Sequence, residues 1–137
     1  MTQYVPREHA ADLGVPIIEY PLRADFGRYV PQLGAILIKP RMRGALERSV
    51  LAHELVHAER DEYETGVPLI DLRMERNADR VASLRLIDED ELLDLMRWSS
   101  DPGRWAVELA VTADLLEARI AQLRVSESDR AAGRQVS

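Results

Sequence analysis

The chain of 137 residues contains no cysteine. This absence excludes disulfide bonds, cysteine-based zinc ribbons and thiol nucleophiles, and it leaves histidine, aspartate and glutamate as the side chains able to hold a metal ion. Histidine is itself scarce, with three residues in the whole chain. The ligands of any metal site here are therefore expected among these three histidines and the carboxylates.

Long apolar runs are also missing, since no stretch approaches the roughly 20 apolar residues needed to cross a bilayer. Near the N-terminus, Arg7, Glu8 and Asp12 occupy positions where a secretory signal would need an uninterrupted apolar segment. We therefore expect a soluble, cytoplasmic protein without a membrane partner.

Positive charge is in deficit, because the formal net charge is −6. This balance argues against binding to a phosphate backbone, which requires a concentrated basic face. The basic stretch at 39–43 lacks interleaved aromatic residues and is typical of a solvated turn. Direct binding to nucleic acid is not expected.

The remaining composition favours one globular domain, because 46% of the residues are hydrophobic and the length suits a single core. Residues 1–124 are predicted to form this domain and 125–137 a flexible tail. β-branched and aromatic residues predict about three strands, and a later helical period predicts helices. The strands are expected at 15–20, 27–30 and 35–38, and the helices at 45–59, 69–87, 88–97 and 104–123. The fold class is α+β.

Two of the three histidines lie in the sequence His53-Glu54-Leu55-Val56-His57, within the first long predicted helix. Four residues turn a helix by about 400°, so both imidazoles project from one face. Such a pair can bind zinc, and the glutamate beside the first histidine can act on a water molecule as a general base. We predict that His53 and His57 bind Zn²⁺ and that Glu54 is catalytic.

A catalytic zinc site usually has three protein ligands, so a further donor is needed. The third histidine, His9, lies far upstream in a weakly patterned segment. Glu75 and Asp79 lie one turn apart on the next predicted helix, which a short connection would pack against the motif helix. Glu75 is our first choice and Asp79 the second. Four acids directly after the motif are too close in sequence to reach the same metal easily: Glu59, Asp61, Glu62 and Glu64.

If Glu75 is the ligand, Asp79 can accept a hydrogen bond from the non-ligating nitrogen of one histidine, which would fix its tautomer. The alternative for Asp79 is a surface ion pair with Arg76 or Arg80, and both interpretations stay open at this point.

The segment 51–59, together with 75–82, resembles the ImmA/IrrE group of metallopeptidases. In that group an HExxH helix is followed by a helix with a glutamate, an alanine three positions later and another alanine four further on; Glu75, Ala78 and Ala82 match this register. The similarity covers about residues 34–95. It implies a small zincin-like domain, zinc as cofactor, and endoproteolytic cleavage of a partner, a DNA-binding repressor with a helix-turn-helix in a phage or mobile-element setting.

For such a peptidase we expect a group beside the zinc to stabilise the reaction oxyanion. Tyr29, Tyr63, Arg73 and His9 are possible, and the sequence does not choose among them. A substrate strand could pair along the edge of the strand at 35–38. The sequence does not specify the oligomeric state.

Two other functions stay open. The protein could be a zinc-containing module that regulates a repressor or toxin by docking without cutting, although Glu54 has no purpose in such a module. It could also be a helical interaction protein without metal, in which the histidines belong to a solvated helix face.

Overall fold

The computed structural model describes residues 3–136, and within that range the chain forms three strands and six helices. In chain order these are α1 (Pro6–Leu13), β1 (Ile17–Glu19), β2 (Gly27–Val30), β3 (Ala35–Ile38), α2 (Gly44–Arg60), α3 (Pro68–Leu86), α4 (Glu89–Trp98), α5 (Pro102–Leu109) and α6 (Ala113–Val136). The predicted α+β class is confirmed, and the arrangement agrees with a small zincin-like domain.

The sheet is mixed, with strand order β1-β3-β2. β1 pairs with β3 in parallel, and β2 pairs with β3 antiparallel. The apolar sequence of β3 suits this central place, since Ile36 and Ile38 are fully buried. The prediction that a substrate strand pairs along residues 35–38 is therefore wrong, because both sides of β3 are occupied by neighbouring strands.

α2 lies between two hydrophobic clusters. Leu51 and Leu55 face the sheet and α1, where they pack with Ala10, Ile36 and Ile38. Ala52, roughly a quarter turn further round the helix, belongs to a second cluster formed mainly by α3 to α6. Because both apolar sides are buried, α2 is fixed in position and in rotation about its own axis.

The end of the chain differs in detail from the predicted helix at 104–123. This segment forms two helices, because α5 ends at Ala110 in the left-handed conformation (φ 54°). Val111 then enters the second cluster, and α6 begins at Ala113. Burial of Val111 offsets the conformational cost of the left-handed backbone at Ala110. No local feature of the sequence predicts a left-handed residue at this position.

α6 continues to Val136, and residues 124–133 are exposed on it. The domain boundary at 124 and the flexibility of the tail stay predictions; Met1, Thr2 and Ser137 lie outside the described residues. Within the described residues, every helix is too short or too polar to span a bilayer.

Candidate metal centre and catalytic cleft

The two motif histidines face each other on α2, as their four-residue spacing requires. Their Nε2 atoms lie 3.2 Å apart, and the two rings meet edge to face with centroids separated by 4.9 Å. His57 is buried and His53 is mostly buried. Two ring nitrogens so close together can form one half of a metal-binding cage.

Glu75 on α3 completes that cage. Its Oε2 lies 2.9 Å from His53 Nε2, and its Oε1 lies 2.9 Å from His57 Nε2. The carboxylate can reach both rings because α2 and α3 pack closely. Ala52 on α2 and Ala82 on α3 belong to one buried cluster, and Ala78 on α3 is also fully buried. Small side chains at this contact allow the helices to approach closely.

The donor set fits a divalent metal. Ligand atoms of His53, His57 and Glu75 all lie within 4.8 Å of one another, and among the described residues this is the group found with such a geometry. A tetrahedral zinc ion 2.0–2.1 Å from each donor would need donors about 3.3 Å apart. The observed separations of 2.9–3.2 Å are close to this value. Because 57% of the Glu75 side chain is exposed, the site is accessible from one side.

Each histidine has a carboxylate on its other ring nitrogen. His53 Nδ1–H donates to Asp79 Oδ1 at 2.7 Å, and His57 Nδ1–H donates to Glu62 Oε1 at 3.0 Å. Because a carboxylate holds Nδ1 of each ring, Nε2 is the nitrogen that faces the cage, and it can bind a metal once it has lost its proton. Asp79 thus occupies the place predicted for a histidine-orienting residue; the alternative partner Arg80 bonds to Asn77 instead.

The role of Glu62 was missed by the sequence analysis. Glu62 is one of the four acids that lie too close to the motif in sequence to reach the metal easily, and it contacts the far side of His57 instead. The chain reaches that position because Asp61 ends α2 in the left-handed conformation (φ 50°), which turns the next residue back along the helix. Asp61 directly follows the last residue of α2, and aspartate is one of the residue types that tolerate the left-handed conformation. Its position was the available signal for this turn.

The electrostatics of the cage follow from this packing. Burial opposes a charge on His53, yet its hydrogen bonds to Asp79 and Glu75 raise the pKa of His53 from 6.5 to about 10. The pKa of His57 is also raised: burial opposes its charge, and the bonds to Glu75 and Glu62 favour it. The same bonds lower the pKa of Glu75, those from His53 and His57 being the main cause. Glu75 is therefore a carboxylate near neutrality.

Glu54 lies beside the cage, but its side chain points toward β2 and not toward α3. Its Oε2 accepts a hydrogen bond from the main-chain N–H of Tyr29 on β2, at 2.7 Å. Burial raises the pKa of Glu54, and the nearby His53 and His57 partly offset the increase. A buried carboxylate with a raised pKa suits a group that accepts and returns a proton.

Glu54 and His57 line an open cleft of about 350 Å³. β2 and the residues after it form one wall, and the segment after α2 forms the other, with Met74 of α3 between them. Among the oxyanion candidates, Tyr29 and Tyr63 line this cleft. The hydroxyl of Tyr29 donates to Asp61 Oδ1 at 2.6 Å, whereas Tyr63 is 65% exposed.

The other candidates are not in the cage. His9 accepts a hydrogen bond from the hydroxyl of Tyr4 at its Nδ1 (2.6 Å), and its Nε2 lies 3.9 Å from Glu59. Glu59 in turn forms an ion pair with Arg85. Glu64 lines the cleft but is outside the metal-binding group of the described residues. Arg73 is absent from the cleft wall. The sequence-based roles of the cage residues stay predictions until a metal is measured.

Comparison with curated proteins gives no match. A family model does match: the peptidase M78 model, described as the IrrE N-terminal-like domain, aligns with residues 10–121. The match covers most of the chain, including β1 to β3, both motif helices and most of the second cluster. It agrees with the resemblance found from the HExxH motif and the Glu75, Ala78 and Ala82 register. The chain therefore belongs to the peptidase M78 family of IrrE N-terminal-like domains.

Proposed function

We propose that the protein is a zinc-dependent endopeptidase that hydrolyses a peptide bond in a protein partner. The observation that carries the proposal is the convergence of His53, His57 and Glu75 within 4.8 Å, with the Glu54 carboxylate beside them in an open cleft. Membership of a peptidase family supports a metallopeptidase-type activity. Two imidazoles and one carboxylate with space for a fourth ligand are the donors of many catalytic zinc sites.

Zinc held by this set would supply Lewis acidity to a water molecule and to the peptide carbonyl. Glu54 then accepts the proton that the attacking water loses and passes it to the departing amine. Its raised pKa brings it closer to the operating pH, which favours both transfers. Asp79 and Glu62 keep the two histidines in one tautomer and orientation throughout.

The substrate would enter along β2, an edge strand of the sheet. The main-chain carbonyl of Phe26 accepts a hydrogen bond from Lys39 N–H, across the sheet. Because every second residue of an antiparallel strand bonds to its neighbour, the main-chain groups of Arg28 and Val30 also point toward β3. Those of Gly27 and Tyr29 point away from it, toward the open edge. Their outward main-chain groups, apart from the Tyr29 N–H that Glu54 uses, remain for an extended peptide. This replaces the earlier hypothesis of pairing along β3.

The partner we propose is a DNA-binding repressor of a phage or mobile element, in the cytoplasm where such repressors act. The support is the ImmA/IrrE resemblance of the motif helices. The acidic balance of the chain, with a net charge of −6, supports a protein substrate over direct binding to DNA.

The test combines metal analysis with cleavage. Wild type, Glu54→Gln and Glu75→Ala would each be treated with zinc, analysed for bound metal and incubated with a panel of helix-turn-helix repressors, and fragments would be identified by mass spectrometry. We expect Glu54→Gln to keep zinc at wild-type stoichiometry and to lose about 10²–10⁴-fold in kcat. We expect Glu75→Ala to lose both zinc and cleavage. Glu108→Gln, an exposed change of the same chemistry on α5, is the matched control.

A docking module would give a different result. Wild type and Glu54→Gln would then bind a repressor equally, and neither would cut it. That outcome, or wild-type protein that binds no stoichiometric zinc, would reject the proposed peptidase.

A further inference from the structure

Tyr29 touches the motif helix at two points. Its main-chain N–H donates to Glu54 Oε2 at 2.7 Å, and its phenol O–H donates to Asp61 Oδ1 at 2.6 Å. Glu54 and Asp61 lie about two turns apart along the same side of α2. One residue of the edge strand therefore spans the proposed base and the end of the helix that carries it.

Both acceptors are held from the other direction. Asp61 caps α2, and its own N–H donates to Ala58 O at 3.2 Å. Glu54 is on the same helix, which is fixed between the two clusters. Because the backbone that carries each acceptor is held in place, the two bonds restrain Tyr29 and with it the local position of β2.

The phenol proton of Tyr29 is committed to Asp61. A hydroxyl has one proton to donate, so this phenol cannot at the same time donate to a reaction oxyanion. The pKa of Tyr29 is raised chiefly by this hydrogen bond, which agrees with a phenol that keeps its proton. The geometry favours a role exerted through Glu54 over one exerted on the substrate.

We propose that Tyr29 is a positioning residue for Glu54, an inference that rests on the proposed peptidase function. Its N–H holds one carboxylate oxygen, which leaves the other oxygen oriented for proton transfer. The phenol bond to Asp61 prevents β2 from shifting and so maintains the N–H contact. Proton transfer depends steeply on such geometry, so loss of the phenol bond lowers turnover without affecting the metal.

The experiment is a double-mutant cycle on the zinc-loaded full chain. Tyr29→Phe removes the phenol donor, and Asp61→Gly removes the acceptor while tolerating the left-handed backbone. We expect each change to lower kcat by about ten- to hundredfold, the range for one hydrogen bond to a charged group, with KM within about twofold. The double variant should lose no more than either single variant. Asp61→Asn keeps an acceptor oxygen and should restore most of the turnover.

Two controls separate this role from others. Tyr20→Phe removes an equivalent hydroxyl from a half-exposed tyrosine beyond β1 and should leave kcat unchanged. Zinc affinity should be the same in all these variants. An oxyanion donor would behave differently: Asp61→Gly would leave kcat unchanged or raise it, while Tyr29→Phe alone would reduce it. That result overturns the inference, as does a lower Tm with unchanged kcat.

A second readout does not need activity. The amide proton of residue 29 should resonate downfield in wild type, because it donates to a carboxylate. Glu54→Gln, Tyr29→Phe and Asp61→Gly should all shift it upfield. If wild type and Glu54→Gln are equally inactive, the peptidase proposal fails by itself; an unchanged amide shift in Tyr29→Phe and Asp61→Gly overturns the positioning role whether or not the protein cuts a substrate.

Discussion

α2 meets two neighbours at the site, and the two contacts are of different kinds. On the α3 side, Glu75 and Asp79 bond to His53 through side chains at 2.7–2.9 Å. On the β2 side, Glu54 is held by the main-chain N–H of Tyr29. The first contact depends on helix register and residue type, and the second on how close a strand lies to a helix.

The difference assigns two tasks to two sides of one helix. In the proposed peptidase, metal retention would depend on the α3 side, together with Glu62 at the end of α2. Proton transfer would depend on the β2 side, which does not contact the histidines through these bonds. Substitutions on the α3 side should therefore change zinc affinity, and substitutions on the β2 side should change turnover.

The largest effect we expect from breaking the α3 side without removing a ligand comes from Asp79→Asn. This change weakens the hydrogen bond that orients His53 and should reduce zinc affinity by about 10–100-fold. Glu62→Gln should act similarly through His57. Competition with a chelating dye measures both, and Asp90→Asn, an exposed change on α4, is the control. Wild-type affinity in both variants would show that these carboxylates do not support the cage.

The α3 side could be predicted from the sequence because it is periodic. A helix with a fixed 3.6-residue repeat places His53 with His57 and Glu75 with Asp79 on common faces, and small Ala78 indicates close approach. Each inference needs only local geometry plus one helix-to-helix contact. The α+β class and the three strands were predicted for a similar reason, from β-branched and apolar runs between glycine and proline.

The β2 side could not be predicted in the same way. A main-chain N–H carries no signature of residue type, so nothing in the sequence of β2 indicates that Tyr29 contacts Glu54. The order of strands was equally hidden, since residues 35–38 read as a strand whether it is central or at the edge. Glu62 and the break at Ala110 depend on left-handed residues that tertiary packing stabilises.

The pH dependence of zinc binding gives a second way to test the α3 side. The pKa of His53 is raised to about 10, above its value in the unfolded chain. Its proton therefore stabilises the fold fully below pH 6.5, and this contribution is lost as the pH rises toward 10. A metal at Nε2 must displace that proton. Zinc affinity should thus rise by about tenfold per pH unit for this proton, between pH 6.5 and 10.

Metal-binding titrations in a series of buffers from pH 6.5 to 8.5 would measure that slope, and the Tm of chelator-treated protein should fall over the same range. In Asp79→Asn the dependence should be weaker, since one of the two bonds that raise the pKa is reduced. A zinc affinity that does not change with pH would show that His53 carries no proton to displace.

The smallest effect we expect comes from the β2 side, at Gly27. A Cβ atom there would lie 2.5 Å from Val50 Cγ1 and 3.5 Å from Glu54 Cγ, so in Gly27→Ala either Val50 or β2 must shift. Because a valine side chain is stiff at χ1, we expect β2 to move away from α2. Overpacking of this kind costs about 1–3 kcal/mol of stability. The shift should lengthen the Tyr29 N–H contact to Glu54 and lower kcat severalfold, while zinc affinity stays at the wild-type value. Gly133→Ala, where a Cβ meets nothing within 4 Å, is the matched control. If zinc affinity falls together with kcat in Gly27→Ala, the two sides of α2 are coupled through the helix, and the division of tasks between them is wrong.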